Sequence, residues 1–330
     1  SWRSSPRTTA EKALSIRPFV EKGCKCRVRR FARRRMLDTR CSMLVNGRLS
    51  RQPVKGLGLI EYRESSIEIR VPGGRLGVRY HDCVKRLIIA DAHVGQGVND
   101  ADEMSSLVRR AAAAGVDEVI YLGDAFQYLI GMSKFWTAAL REVMGSWREV
   151  RRRGVRVVVI EGNRDFFLDE PELAAEVDWS GRIYEFDAGE QRFRLDHGDL
   201  INKRDFQYRF WSRISKSVIA RIWARLLPQS LAVAIVRRME AHLATTNRKF
   251  RYTKPIDDLR RSASSAWSEG IGVLFWGHFH THWECRDGLR LAMIVPAWLE
   301  TRTSILVNPD GTWQSVDANL ERCETPGGGD

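Results

Sequence analysis

Hydrophobic and polar positions change period along this chain. Ile67, Ile69 and Val71 alternate with polar residues, Pro72-Gly73-Gly74 follows, and Leu76, Val78 and Tyr80 alternate again. A period of two on both sides of a Pro-Gly turn predicts a β-hairpin within residues 56–84. Beyond it the apolar positions gather into short runs. Residues 87–90, 118–122 and 155–160 read as three buried strands, and 192–196 and 273–276 as two more. Helix-like stretches at about 100–114 and 133–153 separate the first three. Strand and helix in alternation imply a layered α/β fold over residues 85–316, with 317–330 as a tail.

An insert at 203–261 has a different pattern. Phe206, Phe210, Ile214, Val218, Ile222 and Leu226 recur every fourth residue, and Trp211, Ile219 and Trp223 widen the stripe. Arg204, Arg209, Arg213, Lys216, Arg221 and Arg225 occupy much of the remainder. This predicts one basic amphipathic helix over 205–227, ended near Pro228, and a second helical stretch at about 229–245. The pattern alone leaves two readings open: a stripe packed on the body, or a surface for acyl chains and an anionic membrane.

Composition changes the picture little. The 330 residues are 43% hydrophobic and 29% charged, as in ordinary globular chains. No apolar run approaches the roughly 20 residues of a membrane span. The first 35 residues lack the apolar centre of a secretory signal. Six scattered cysteines form no CxxC pair, which favours a reducing, cytoplasmic compartment. Charge is more telling. Residues 1–55 hold 16 Lys/Arg against 3 Asp/Glu and are expected to form a basic, disordered extension. The insert holds 15 basic residues against 4 acidic ones, so the rest of the body is acidic. The basic extension keeps nucleic acid or anionic lipid in view as a partner.

Chemistry concentrates where the predicted strands end. Asp91-Ala92-His93, Gly123-Asp124, Gly162-Asn163-Arg164-Asp165, His197-Gly198-Asp199 and Gly277-His278-Phe279-His280-Thr281-His282 each follow a strand. Ligand sites of open α/β sheets lie beyond the carboxyl ends of strands, so five clusters can converge there. Five of the seven histidines fall in these clusters. Carboxylate, imidazole and one amide oxygen suit divalent Mn, Fe or Zn better than Ca²⁺, and the absence of Cys argues against structural zinc. Seven donors exceed one ion and serve two that share a carboxylate. Two ions can activate water and clamp both oxygens of an in-line displacement at phosphorus, so hydrolysis of a phosphoester or phosphoanhydride is expected.

The series DxH, GD, GNxD, HGD and GHxH resembles the calcineurin-like metallophosphoesterases over about residues 86–308. The resemblance implies a four-layer α/β/β/α sandwich. It implies that Asp91, His93 and His280 bind one metal, Asn163, His197 and His278 a second, and that Asp124 bridges them. Most of that family has His after the GN pair. Here Arg164 stands there, a planar fork for phosphoryl oxygens that cannot readily give up a proton. Arg164 is expected to clamp the transition state, oriented by Asp165.

The run GNRDFF, the ADAHVG opening, the insert after His197-Gly198-Asp199 and the closing Ala297-Trp298, Glu300 and Thr301 are similar to the bacterial UDP-2,3-diacylglucosamine hydrolases of lipid A biosynthesis. This closer resemblance implies Mn²⁺ as the ion, a helical lid over a lipid-linked nucleotide sugar, and cleavage at the α-phosphorus to UMP and 2,3-diacylglucosamine 1-phosphate. It implies substrate contacts from Arg164 and Asp205, and from Asn247, Lys249 and Arg251 in the second lid segment. It also implies a cytoplasmic protein resting peripherally on the inner face of the inner membrane, with no obligate protein partner and no nucleic acid. The alternatives are an enzyme of the same fold acting on another nucleotide or a polynucleotide, and a binding scaffold without catalysis. His282 is read as supporting the ligands or incidental.

Overall fold

The computed structural model describes residues 60–63, 66–71, 74–79, 83–202, 206–235, 238 and 254–324. The chain divides into two units, residues 1–82 and 83–330. In the first, β1 (Ile60–Arg63), β2 (Ser66–Val71) and β3 (Gly74–Arg79) form an antiparallel sheet in that order. Ile69 pairs with Ile60 and Leu76, and Ile67 with Tyr62 and Val78. The extension before residue 60 lies outside the described residues.

The second unit is built on two sheets. β4 (Arg86–Ile89), β5 (Glu118–Leu122), β7 (Arg156–Ile160) and β9 (Trp179–Gly181) run parallel, and β15 (Ser304–Val307) and β16 (Trp313–Val316) complete the β4 edge antiparallel. The other sheet has the order β10 (Ile183–Ala188), β11 (Gln191–Asp196), β12 (Val273–Trp276), β14 (Arg290–Ile294), β13 (Glu284–Asp287), with β11, β12 and β14 parallel. A short parallel pair joins β6 (Leu129–Ile130) to β8 (Asp165–Phe166), and α3 (Pro171–Ala174) follows β8.

Alternation of side chains across each strand assigns the layers. Ile88, Ile120, Leu122, Val158 and Ile160 face Phe193, Leu195, Val273, Phe275 and Met293 of the other sheet. Leu87, Ile89, Val119, Tyr121, Val157 and Val159 point the opposite way. There they meet α1 (Asp100–Ala113) and α2 (Ala138–Arg152) through Met104, Leu107, Val143 and Trp147. Leu274, Trp276, Ala292 and Ile294 cover the far face under α6 (Ile256–Ser268) with Leu259, Ala263 and Trp267. The result is the α/β/β/α order. Each such side chain removed from water contributes about 1.5–3 kcal/mol, which makes the strands stiff mounts for the loops that follow them. Among the described residues no helix is long and apolar enough to cross a membrane.

The insert departs from the single helix expected over 205–227. It breaks into α4 (Phe206–Ser215) and α5 (Val218–Leu226), and a further helical stretch covers 229–235. Ser217 takes an extended conformation and caps α5 by accepting from the Ala220 amide at 3.2 Å. The preceding Lys216 turns its ammonium onto Glu161 Oε1 at 2.5 Å and the Gly162 carbonyl at 2.7 Å. Arg221 pairs with Asp169, and Arg225 with Glu170. Small residues, Ala220, Ala224 and Ala232, pack on Met132, Phe135 and Phe167. Lys216, Arg221 and Arg225 therefore turn to acidic residues of the body while the apolar stripe turns to solvent. Phe210 and Trp223 are both 68% exposed, and Val218 is 71% exposed.

Candidate metal centre

Pairing registers bring the strand ends level. Ile89 lies beside Tyr121, Leu122 beside Ile160, and Asp196 beside Trp276. The residues that follow each end, Asp91, Asp124, Asn163, His197 and His278, therefore leave the two sheets along one edge. Backbone hydrogen bonds tie the loops together: the Asp91 amide donates to the Gly123 carbonyl at 3.3 Å, His93 to Asp124 at 3.0 Å and Gly277 to His197 at 3.1 Å.

The donor atoms fall into two adjoining groups. In one, His280 Nε2 lies 3.3 Å from Asp91 Oδ1 and 3.4 Å from His93 Nε2. In the other, Asn163 Oδ1 lies 3.1 Å from His197 Nε2 and 2.9 Å from His278 Nδ1. Asp124 stands between them. Its Oδ2 is 4.0 Å from His93 Nε2, and its Oδ1 is 3.7 Å from His197 Nε2. Ligands about 2.1 Å from a common ion lie roughly 3.0–3.4 Å apart at octahedral to tetrahedral angles, so these spacings fit divalent ions. All seven residues expected as ligands lie in this cluster; Asp91, His93 and His280 form one close set of donors, and Asp91, Asp124 and His197 another.

Two independent observations support the fit. Asp91 Oδ1 is buried and makes no hydrogen bond, while Asp91 Oδ2 accepts from the His278 amide at 2.8 Å. An aimed, unsatisfied carboxylate oxygen is costly unless a cation completes it. The backbone is also strained here. Asp91, His93, Asp124, His278 and His280 all have left-handed φ, between 47° and 70°. That conformation is uncommon outside glycine and collects at functional sites. Glycines complete the packing. Gly123 has φ +78°, and a Cβ there would lie 2.3 Å from His197 Nδ1. Gly162 is needed for space alone, because a Cβ would lie 2.4 Å from Asp124 Oδ1.

Electrostatics follow from crowding. Burial would raise Asp91, but His280, His197 and His93 outweigh it and hold the carboxyl well below its usual range. Burial opposes charge on His197, yet Asp124, Asp91 and Asp199 raise it to about 9. His278 is lowered to about 4 by burial and by His197. Asp165 is raised to about 7 by burial and by Asp124. Metal binding must therefore displace a proton from His197.

Arg164 is buried beside the donors, with Nε 3.6 Å from Asp124 Oδ2. Asp165 does not orient it, contrary to expectation. Asp165 Oδ2 instead accepts from the amides of Asp124 at 3.0 Å and Gly162 at 2.7 Å, and so pins two ligand loops together. The guanidinium is held by Gln127 Oε1 at 2.6 Å, and Gln127 is itself anchored to the His93 carbonyl and Gln96. Gln127 follows Asp124 by three residues with no motif to mark it. Lys216 and Glu300 stand in segments the sequence marks, but their contacts, Lys216 with the Gly162 carbonyl and Glu300 with His280, emerge only from the fold. Asp205, Asn247, Lys249 and Arg251, expected at the substrate, lie outside the described residues. The His282 carbonyl accepts from Lys254 at 2.8 Å, and its ring is not among the donors brought together.

Residues 84–282 match the calcineurin-like phosphoesterase family. The chain belongs to that family. It is a metal-dependent hydrolase with phosphoesterase chemistry. It is similar to the UDP-2,3-diacylglucosamine hydrolase of Photorhabdus laumondii, 30% identical over 204 residues that cover 59% of this chain and 81% of that protein. It is also similar to the UDP-2,3-diacylglucosamine hydrolase of Ralstonia nicotianae, 27% identical over 207 residues that cover 59% and 75%. Among solved structures it resembles the E. coli phosphoesterase Yfce, with 14% identity, a TM-score of 0.38, and 73% and 97% of the two chains covered.

Proposed function

We propose that this hydrolase cleaves the pyrophosphate of UDP-2,3-diacylglucosamine at the α-phosphorus, giving UMP and 2,3-diacylglucosamine 1-phosphate. One observation carries the reading. An outward-facing apolar stripe is tethered through Lys216 to the carbonyl of Gly162, one residue before the donor Asn163 and two before Arg164. A phosphoryl-binding site and an acyl-binding surface thus share one anchor. The curated relatives carry the same name for their substrate.

Two divalent ions, Mn²⁺ in this reading, supply charge neutralisation and acidify a water when bound. The protein's own groups do the rest. Asp124 turns one oxygen to each donor group and holds their spacing. Asn163, His197 and His278 hold one side, and Asp91, His93 and His280 the other. Arg164 offers fixed charge to non-bridging phosphoryl oxygens as negative charge gathers there. A guanidinium is a poor proton donor, so this residue gives no proton to the leaving group. A phosphoanhydride needs none, because its leaving group is a phosphate monoester whose second ionisation lies near about 6. Replacement of the usual His by Arg164 therefore favours an anhydride over an alkyl phosphoester.

The stripe from Phe206 to Leu226 would cover acyl chains, each buried CH₂ contributing about 0.8 kcal/mol. Asp205 would lie near the substrate sugar, and Asn247, Lys249 and Arg251 would contact the sugar phosphate. The same surface would rest on the cytoplasmic face of the inner membrane. Because Lys216, Arg221 and Arg225 turn to the body, apolar contact would contribute more than charge there.

The test is hydrolysis of UDP-2,3-diacylglucosamine by purified protein with Mn²⁺ in ¹⁸O water. UMP carrying the label is the expected product. Label in the lipid phosphate would refute attack at the α-phosphorus, and failure to release UMP would refute the substrate.

A further inference from the structure

We propose that Gln127 is a positioning residue that aims the Arg164 guanidinium at the reacting phosphoryl group and keeps it off Asp124. This rests on the phosphoryl role given to Arg164 above and adds the side chain from which the arginine takes its direction.

Among the described residues, two acceptors flank the buried guanidinium of Arg164. Gln127 Oε1 accepts from Nη1 at 2.6 Å, while Asp124 Oδ2 lies 3.6 Å from Nε, which is buried without a hydrogen bond. The Arg164 amide already donates to Asp124 Oδ1 at 2.9 Å, so the two residues are close from the backbone outward. Asp124 carries charge and Gln127 does not, so a guanidinium left free would close on Asp124. It would then neutralise the carboxylate that stands between the two donor groups. Gln127 holds the fork short of that contact. A neutral amide oxygen also fixes the fork without cancelling its charge, which stays available to a phosphoryl group.

The direction of the Gln127 amide is forced. The side chain is buried, and its Nε2 donates to the His93 carbonyl at 3.2 Å and to Gln96 Oε1 at 3.0 Å. A main-chain carbonyl can only accept and a guanidinium can only donate, so nitrogen must face His93 and oxygen must face Arg164. The backbone beneath is tied down as well. The Gln127 amide donates to the Val94 carbonyl at 3.1 Å, Val94 forms a parallel bridge with Phe126, and the Leu129 amide donates to the Arg164 carbonyl at 3.1 Å. The segment that carries His93, the side chain that aims Arg164 and Arg164 itself are therefore joined through one stretch of paired backbone.

The experiment measures kcat and KM of the Mn²⁺-loaded full chain on bis(p-nitrophenyl) phosphate, a water-soluble diester that needs no apolar stripe, and counts bound Mn²⁺ from the EPR signal of the free ion. Gln127→Ala should lower kcat by about 10–100-fold, as for a reacting group displaced by up to about 1 Å, with KM little changed and bound Mn²⁺ as in wild type. Gln127→Met fills the space without an acceptor and should do no better than alanine. Gln127→Glu restores an oxygen toward Arg164, but it loses both amide donors and cancels part of the arginine's charge, so it should recover only part of kcat. A packing role would be rescued by methionine and not by glutamate. In an Arg164→Ala background Gln127→Ala should have no further effect, because Gln127 acts through that arginine. Wild-type kcat in Gln127→Ala or Gln127→Met, loss of an ion in Gln127→Ala, or additive losses in the double variant would overturn the proposal. Full kcat in Arg164→Ala alone would instead overturn the phosphoryl role of Arg164, an outcome distinct from the others.

Discussion

Adding one methyl group at Gly162 tests whether the donor positions are set by steric contact. Gly162 does not have a left-handed φ, so alanine brings no backbone strain there. The whole effect must come from space. A Cβ at this position would lie 2.4 Å from Asp124 Oδ1, 2.7 Å from the Asp124 amide nitrogen and 3.0 Å from His197 Cδ2. Ordinary contact begins at 3.4 Å. Asp124 must therefore move by several tenths of an ångström to about 1 Å, and it is the carboxylate between the two donor groups. Overpacking of this kind costs about 1–3 kcal/mol. A misplacement of about 1 Å at reacting groups costs about 100-fold in rate. Gly162→Ala should thus lower kcat by about 100-fold and lose at least one of two bound Mn²⁺, with a modest fall in Tm. Gly145→Ala, in α2 with nothing within 4 Å of its Cβ, is the control and should leave Mn²⁺ binding intact. A Gly162→Ala enzyme with two Mn²⁺ and full activity would refute the steric argument.

Other expectations concern the arginine, the proton and the stripe. Arg164→Lys keeps the charge and loses the fork, so kcat should fall by about 100–1,000-fold while Mn²⁺ binding is retained; unchanged kcat would remove Arg164 from the chemistry. His197 is raised from 6.5 to about 9 in the metal-free protein, so at pH 7 it holds a proton that Mn²⁺ must expel. Calorimetry in buffers of different ionisation enthalpy should find about one proton released, with affinity rising about tenfold per pH unit up to about 9. The sign for stability is opposite: in EDTA, the contribution of His197 is complete below 6.5 and is lost as pH rises through about 9. Trp223→Ser removes an exposed side chain and should change stability by less than about 0.5 kcal/mol. It should raise KM for the diacylated substrate and not for a water-soluble phosphodiester; equal effects on both would detach the stripe from lipid.

The donors were legible because their chemistry is local. Asp91, His93 and the four other clusters each sit within a few residues of a strand end, and a parallel sheet brings such ends together wherever the strands register. The central strands were legible for a similar reason, since 118–122 is buried throughout and reads as one apolar run. What sequence could not reveal depends on long-range pairing. β13 is mostly exposed and β16 half-buried, so neither gives a clear periodicity. The break at Ser217 hides inside an unbroken apolar stripe, because Ser is an unremarkable helix residue until its hydroxyl caps a turn. The direction of the stripe was hidden too. Arg221 and Arg225 look like a solvated face until Asp169 and Glu170 lie opposite them. Gln127 and Glu300 act on Arg164 and His280 across distances in sequence that no short motif spans.

The pairing of cations at the strand ends can be observed directly. Crystals grown with Mn²⁺ and measured at the manganese absorption edge should give two anomalous peaks. One should lie among Asp91, His93 and His280, the other among Asn163, His197 and His278, with Asp124 touching both. A map with no peak there, or with a single ion that leaves Asp124 uncoordinated, would contradict the account.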